Sequence, residues 1–526
     1  VLMGSARYFI TTPIFYVNAA PHIGHYHTVV LADTLHRVHK LLAPKQHTVF
    51  ATGTDEHGLK IQQAATRAHQ HEVTFCSEIS TKFKDLFDSS SITHTHFTRT
   101  SDTRHKKCVR HFWDKLRQDG HLYSGSYKGW YCTQDEVFLS ESEIKEVTGH
   151  QGVPQKVSIE SGHPVEWMEE KNYMFKLSEF QDDLLHWLRS SESIVQPSKF
   201  QSLLKNWISA GLNDLSVSRQ SSRVHWGIPV PGDDTQTIYV WLDALVNYLT
   251  ASGYPDSNHV WPPDCHVIGK DILKFHGIYW PAFLMAAGLE PPRHILCHSH
   301  WMVNDEKMSK SKGNVVCPFN EIERYTADGL RYFLLREGVP HSDGNFSSTS
   351  VHRLLNAELA DNLGNLLSRC TALLVNKDQI FPSCDKAFFK SFPRGQKLLQ
   401  EVYELPDKVR AKYLEGNIYL GLDAIMHVLR QTNALVQDNK PWELAKSEGC
   451  QDLLHAVLYA SLEALRVSAI IMQPVIPTIA SKVLDKLNIG ENERNWTDAE
   501  RSNVHQRSLA VENIYVFPRL KAQRAL

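Results

Sequence analysis

The sequence predicts a parallel α/β sheet that is interrupted by an insertion and followed by an α-helical bundle. Three observations predict it. Strand-like and helix-like patterns alternate over 7–115 and return over 226–300. The stretch between them has little helical period. From 351 onward the chain is almost wholly amphipathic helix. At 526 residues it is too long for one core and suits about three or four domains. The expected divisions are 7–115 and 226–300 for the two halves of the sheet domain and 116–225 for the insertion. A connecting region follows at 301–350, and the bundle occupies 351–526.

Residues 7–17, rich in Ile, Phe, Tyr and Val, read as a buried strand. From His22, Val29, Val30, Leu31, Leu35 and Val38 recur at helical spacing. "HTVFATGTDEHG" (47–58) reads as a second strand ending in a polar loop, with a helix from Leu59. In such sheets ligands sit beyond the carboxyl ends of the strands, which places Pro21–His25 and Asp55–Gly58 at a site. Residues 120–165 are rich in Gly, Ser, Glu and Tyr and look like short strands and loops. "TIYVWLDALVNYL" (237–249), "CHVIGKDILKFHGIYWPAFLMAAG" (265–288) and "HILCHSHWMV" (294–303) are expected to complete the sheet as strand–helix units. In the tail, "LLNAELADNLGNLLSRCTALL", "NIYLGLDAIMHVLRQTNALVQ" and "LLHAVLYASLEALRVSAIIM" carry apolar residues three and four apart, as antiparallel bundle helices do.

Composition narrows the class. A net charge of -2 with 42% hydrophobic and 22% charged residues gives no global field of the kind a nucleic-acid binder can show, although local patches would be hidden in that total. The nine cysteines stand singly with no CxxC pair, which suits a reducing compartment better than a disulfide scaffold. No uninterrupted apolar stretch has membrane-spanning length, so no membrane partner is expected. Only Val1–Ala6 precede the first strand-like run, too few for a signal or transit peptide; any targeting segment is expected to be removed or absent.

Two motifs carry chemistry. His22-Ile23-Gly24-His25 stands at a strand-to-helix junction, where Gly24 admits a ligand close to the backbone and the helix start favours phosphate. His22 and His25 can donate to phosphate oxygens as charge builds. Chance alone would give HxGH in roughly one such chain in ten, so the tetrapeptide is weak by itself. Lys307-Met308-Ser309-Lys310-Ser311 places ammonium groups on a small-residue loop suited to a triphosphate. That pentapeptide would arise by chance in on the order of one in several thousand chains. Together the two are not a coincidence.

The pair resembles the HIGH and KMSKS signatures of class I aminoacyl-tRNA synthetases. That resemblance implies a Rossmann-like catalytic domain split by a connective insertion, and adenylate formation followed by esterification of tRNA. "TTPIFYVNAAPHIGH", "ATGTDEHGLKI", "WGIPVPGD", "YVWLDALVNY" and "IGKDILKFHGIYWPAFL" are similar to the methionyl family across the full chain. The run 216–250 most resembles its vertebrate mitochondrial form. The implied catalytic residues are His22, His25, Lys307 and Lys310. ATP would be held by His22, Gly24, His25, Gly269, Asp271, Lys307, Met308, Ser309, Lys310 and Ser311. Methionine would be held by Pro13, Ile14, Tyr16, Asp55, Val240, Trp241, Ala244, Tyr248, His276 and Trp280. The residue chemistry agrees, since polarizable aromatic walls suit a thioether and a lone carboxylate pairs with an α-ammonium. Arg219 resembles an arginine of the family's active site.

The resemblance also implies ATP with Mg²⁺, the metal held mostly by phosphates and water. Many relatives carry a zinc knuckle of CxxC pairs in the insertion. Here "WYCTQDEVF" keeps Cys132 but has Asp135 where the second thiol would sit, so no structural zinc and no protein-bound metal is expected. In the tail, Asn365 and Arg369 share a helical face and, with Trp442, would read a CAU anticodon by edge hydrogen bonds and stacking. The implied partners are methionine, ATP and tRNA(Met), in a monomer of the mitochondrial matrix. Two rivals remain in view. A small-molecule nucleotidyltransferase would not need the insertion and tail, and a non-catalytic tRNA binder would not need intact histidines and lysines.

Overall fold

The computed structural model of the chain describes residues 7–133, 137–139, 141–148, 154–159, 161–303, 305–308, 313–502, 505–512 and 514–521. Its main sheet is parallel at every pairing. Across it lie Val195–Gln196, Ile295–His298, Cys265–Gly269, Arg7–Thr11, His47–Asp55 and His96–Arg99, with Phe15–Tyr16 beside Thr54 and Asp55. The two halves separated in sequence meet at the centre, where Ile10 lies opposite Cys265 and Thr11 opposite His266. Phe9, Ile10, Phe50, Val267 and Ile268 are fully buried, as strands covered on both faces require.

The run read as one strand over 7–17 is two, Arg7–Thr11 and Phe15–Tyr16. Pro13 has no N–H for a ladder, and Thr12 turns its hydroxyl onto the Pro13 carbonyl at 2.9 Å. The chain then enters the helix Ile23–Leu42, which carries a broad buried face.

The 237–249 segment does not complete the main sheet. Asp233–Ile238 pairs antiparallel with Ser218–Gln220 and Pro229–Val230, and Val240–Leu245 and Asn247–Ser252 are helices. Gly232, at φ 81°, turns the chain into a hairpin. The polar start of Asp233–Ile238, half of it outside the core, does not suit a strand buried on both faces. The sheet instead gains His96–Arg99 and Val195–Gln196, two short strands with no distinct pattern; the second lies within 116–225. That stretch also holds an antiparallel sheet of Leu122–Cys132, Val137–Leu139, Glu166–Phe175 and Leu215–Ser216, and the hairpin Ile144–Thr148 with Pro154–Ser158.

Beyond the main sheet, Trp301–Val303 pairs with Glu306–Lys307 and Gly344–Phe346. The helix Ala327–Glu337 then leads toward the bundle of Pro393–Leu414, Ile418–Asn439 and Gln451–Met472. Gln451–Met472 is the one described helix long and apolar enough to cross a membrane, but it is buried almost throughout as the bundle's central element. Near the chain's end, the Asn356 amide donates to the Leu520 carbonyl at 2.9 Å, and the Leu520 N–H donates to Asn356 Oδ1 at 2.7 Å.

A buried arginine on the helix Ala327–Glu337 ties the helix Ile23–Leu42 to the turn after Gln451–Met472. Arg331, fully buried, reaches Asp33 at 2.7 Å and donates to the carbonyls of Pro474 and Val475, both at 2.9 Å. Asp33 also accepts from Arg37 at 2.8 Å and from the Thr93 N–H and hydroxyl at 2.8 and 2.7 Å. Burial opposes ionisation of Asp33, but the two guanidiniums and the Thr93 donors outweigh it and hold the carboxyl below its usual range.

Candidate active site

Beyond the carboxyl ends of Arg7–Thr11 and Cys265–Gly269 opens a cavity of about 430 Å³. It lies where neighbouring parallel strands send their connections to different partners, the crevice such sheets use for ligands. Of the residues expected at a site, Pro13, Ile14, Tyr16, His22, Gly24, His25, Asp55, Val240, Trp241, Ala244, Tyr248, Gly269, Asp271, His276 and Met308 all line it.

One end is the start of the helix Ile23–Leu42. His22 is its cap: His22 Nδ1 accepts from the Gly24 N–H at 3.1 Å, and His25 Nδ1 accepts from the His22 N–H at 3.3 Å. The two rings stack with centroids 3.7 Å apart. Because each Nδ1 accepts, a neutral ring carries its proton on Nε2. The helix thus sets the tautomer of both histidines. A Cβ on Gly24 would stand 3.0 Å from the His22 ring and 3.9 Å from Met308 Cε, so the bare glycine keeps space open between the His22 ring and Met308. The Ile23 N–H donates to the Val316 carbonyl at 3.1 Å, a second tie between helix start and the segment after Lys307–Ser311. The Lys307 side chain, and all of Ser309, Lys310 and Ser311, lie outside the described residues, as does Asp135.

A second wall follows Cys265–Gly269. A Cβ on Gly269 would meet Asp271 Oδ1 at 2.6 Å, so the glycine is what lets that carboxylate fold back. Asp271 pairs with His300 at 3.1 Å, while the His300 N–H donates to Asp343, which also takes Lys270 at 2.7 Å. His298 donates from Nδ1 to the Ser299 carbonyl at 2.9 Å and accepts at Nε2 from the Thr28 hydroxyl at 2.8 Å.

The third wall is aromatic. Trp241 stacks on Phe275 with centroids 3.7 Å apart. The Tyr248 hydroxyl donates to His276 Nε2 at 2.7 Å, and His276 Nδ1 donates to the Ile272 carbonyl at 3.0 Å. Burial pulls the pKa of His276 down to about 4, against a smaller lift from the Ile272 carbonyl and Asp271, so the ring is neutral near pH 7. His298 is likewise drawn to about 4 by burial. Such a wall offers polarizable rings and no net charge, which suits an unbranched thioether.

Two expected residues are placed elsewhere. Trp280 is fully buried behind the wall, its ring 5.9 Å from Tyr248, and donates to His266 Nε2 at 3.3 Å; it supports the lining without reaching the cavity. Arg219 is also off the cavity. It donates to the Ser216 hydroxyl and the Ser216 and Ser218 carbonyls, with Tyr239 4.3 Å and Phe138 4.9 Å from its guanidinium carbon. In the bundle, Arg369 lies 5.0 Å from the Trp442 ring and donates to Gln437 at 2.9 Å, with Asn365 exposed one turn earlier on the same helix. Cys132 packs with Val137, Leu139 and Ile144 in a small apolar cluster.

Sequence reasoning missed Thr28, Lys60, Asn247, His298 and His300, which also line the cavity. Thr28 sits one helical turn past Gly24, and His298 and His300 stand at the carboxyl end of a parallel strand, so position alone could have found these three.

The profile of the family described as tRNA synthetases class I (M) matches residues 8–371. The mitochondrial methionine–tRNA ligase of Mus musculus is 48% identical over 99% of this chain and 93% of its own, and that of Homo sapiens 48% over 98% and 91%. The Mycobacterium tuberculosis methionyl-tRNA synthetase in complex with methionyl-adenylate superposes with a TM-score of 0.91 at 36% identity, covering 97% of this chain and 99% of that one. Its apo form gives 0.84. By its fold, its split sheet and its near full-length likeness to these enzymes, the chain belongs to the methionine–tRNA ligases, the methionyl branch of the class I tRNA synthetases.

Proposed function

We propose that the cavity activates methionine, with the roles of its residues as follows. The observation that carries this reading is that Met308, His22, Gly24 and His25 line one cavity with the neutral aromatic wall of Trp241, Tyr248 and His276. Asp55 takes the α-ammonium, and the thioether lies against the rings, with Ile14, Tyr16, Val240 and Ala244 closing the pocket. ATP enters as its Mg²⁺ complex and is substrate throughout; Gly269 and Asp271 hold its ribose. The methionine carboxylate attacks the α-phosphate in line, giving methionyl-adenylate and pyrophosphate. The terminal ribose hydroxyl of tRNA then attacks the activated carbonyl and releases AMP. His22 and His25 donate from Nε2 to the phosphate as charge builds, and Lys307 and Lys310 stabilise the departing pyrophosphate, so catalysis is orientation and electrostatics. The relative solved with methionyl-adenylate supports the first step.

In the tail, Trp442 and Arg369 form a stacking pair beside Asn365 that would take the bases of a CAU anticodon. We read the chain as a monomer without structural zinc, its Cys132 set among apolar neighbours. By the mitochondrial relatives, we place its work in the mitochondrial matrix. Methionine-dependent exchange of pyrophosphate into ATP tests activation; no exchange under conditions where ATP binds would overturn it. Aminoacylation of a CAU tRNA beside the same tRNA with an altered anticodon tests the tail. A sedimentation mass near twice the chain mass would reject the monomer.

A further inference from the structure

We propose that the amino-terminal half of the helix Thr103–Gln118 is a docking surface for the phosphate backbone of tRNA, separate from the cavity and from the Trp442 site. The helix follows the outermost strand of the main sheet, His96–Arg99, and its far end leads into the insertion. Its inner face buries His105, Cys108, Val109, Phe112, Trp113 and Leu116, which fixes its rotation. Arg104, Lys107 and Arg110 are thereby left exposed, each about 4.5 Å of helix rise from the next, with Lys106 partly exposed beside them. Among the described residues none of these four cations has an ion pair, and no acid occurs between Thr103 and Trp113. The carboxyl half of the same helix is different: Lys115 pairs with Asp119 at 2.7 Å and Arg117 with Asp114 at 3.0 Å. The positive field reaches the sheet edge, where His96 is held below its usual pKa by burial first and then by Arg104 and His47. Asp102, just before the helix, acts on Arg99 of that edge strand.

Folding gains nothing from this arrangement. Cations near a helix start oppose its dipole, and like charges three apart on one face repel. Solubility is served by mixed signs, as in the carboxyl half. A row of unpaired cations suits instead a partner with regularly spaced negative charge. The chain's family acts on such a polyanion, since tRNA carries a phosphate at every nucleotide linkage. Long Lys and Arg side chains on a helix face hold a backbone as point charges, position it, and read no bases. Each phosphate neutralised releases counterions, so this contact adds affinity that falls steeply with salt. The net charge of -2 conceals such a patch, because acids elsewhere in the chain offset it.

The test titrates the whole chain with a CAU-anticodon tRNA at several salt concentrations. Combining Arg104→Gln, Lys107→Gln and Arg110→Gln is expected to lower the slope of log affinity against log salt by about 2 to 3, and to raise KM for tRNA roughly tenfold or more near 0.1 M salt. Methionine-dependent pyrophosphate exchange, which uses no tRNA, should stay within about twofold. Arg104→Lys with Arg110→Lys keeps the charges and should keep the parent slope. Lys115→Gln with Arg117→Gln, in the paired half, should also leave tRNA affinity near that of the parent. An unchanged slope and KM in the triple variant would overturn the proposal. So would a matching loss of pyrophosphate exchange, which would make the three residues structural. Weaker binding to vesicles of anionic lipid with tRNA affinity unchanged would assign the surface to a membrane and overturn it too.

Discussion

Tyr248 and His276 are locked to each other: the hydroxyl donates to Nε2 at 2.7 Å while Nδ1 is held by the Ile272 carbonyl. Tyr248→Phe removes the donor and leaves a buried ring nitrogen without a partner. It should cost about 1–3 kcal/mol, divided between a lower thermal midpoint and a higher KM for methionine. KM for ATP should stay near that of the parent, measured by pyrophosphate exchange.

Acid should destabilise the fold before its carboxylates titrate. His36, His39, His276 and His298 are each brought to about 4, with burial the largest cause. Between about pH 6.5 and 4 the unfolded chain therefore binds more protons, so stability rises with pH across that window and is lost as pH falls through it. Each such histidine adds a slope of up to about 1.4 kcal/mol per pH unit. Thermal unfolding followed from pH 7 to 4.5 should show a steady fall in midpoint; a flat profile would contradict buried neutral rings.

His22 has two separable duties, capping a helix and serving the phosphate. Asparagine keeps a cap acceptor, whereas alanine does not. His22→Asn should keep the thermal midpoint and lose roughly a hundredfold or more in the exchange rate. His22→Ala should lose both, with about 1 kcal/mol of stability gone.

Arg331→Met leaves Asp33 buried with only Arg37 and Thr93, and frees two carbonyls at Pro474 and Val475. The loss should be about 3–5 kcal/mol, read as a lower denaturant midpoint. Asp33→Asn with Arg331→Met together should cost less than the two singly, because no unpaired charge remains.

Trp442→Ala should leave methionine-dependent exchange unchanged and raise KM for a CAU tRNA, by the roughly 1–3 kcal/mol of one stacked base. A matching loss in exchange would mean that Trp442 packs the bundle instead.

The regular elements were legible where pattern and physics agree. The helix after His22, the helix from Leu59 and the strand at Cys265–Gly269 stand where periodicity puts them. The failures have local causes. Pro13 divides the first strand, and a glycine turn takes Asp233–Ile238 out of the main sheet, although its apolar end looks like a core strand. In the cavity, residues named from motifs fell together, since motif positions lie at strand ends. Lys60 was illegible because nothing in one sequence separates a lining charge from a solvated one. Trp280 was misplaced for the converse reason: an indole on a helix face looks the same whether it bounds a cavity or supports the residue that does.

The junction of Ile10 with Cys265 sets an order of events in synthesis. His47–Asp55 is made soon after Arg7–Thr11 and can cover one side of it. The other side must wait for residues 265–269, which at ribosomal speed takes on the order of tens of seconds. Through that interval the nascent chain carries an apolar strand with one open edge, a template for pairing with another chain. The strand at the centre of the finished sheet is thus the one that waits longest in the newborn chain for its second neighbour.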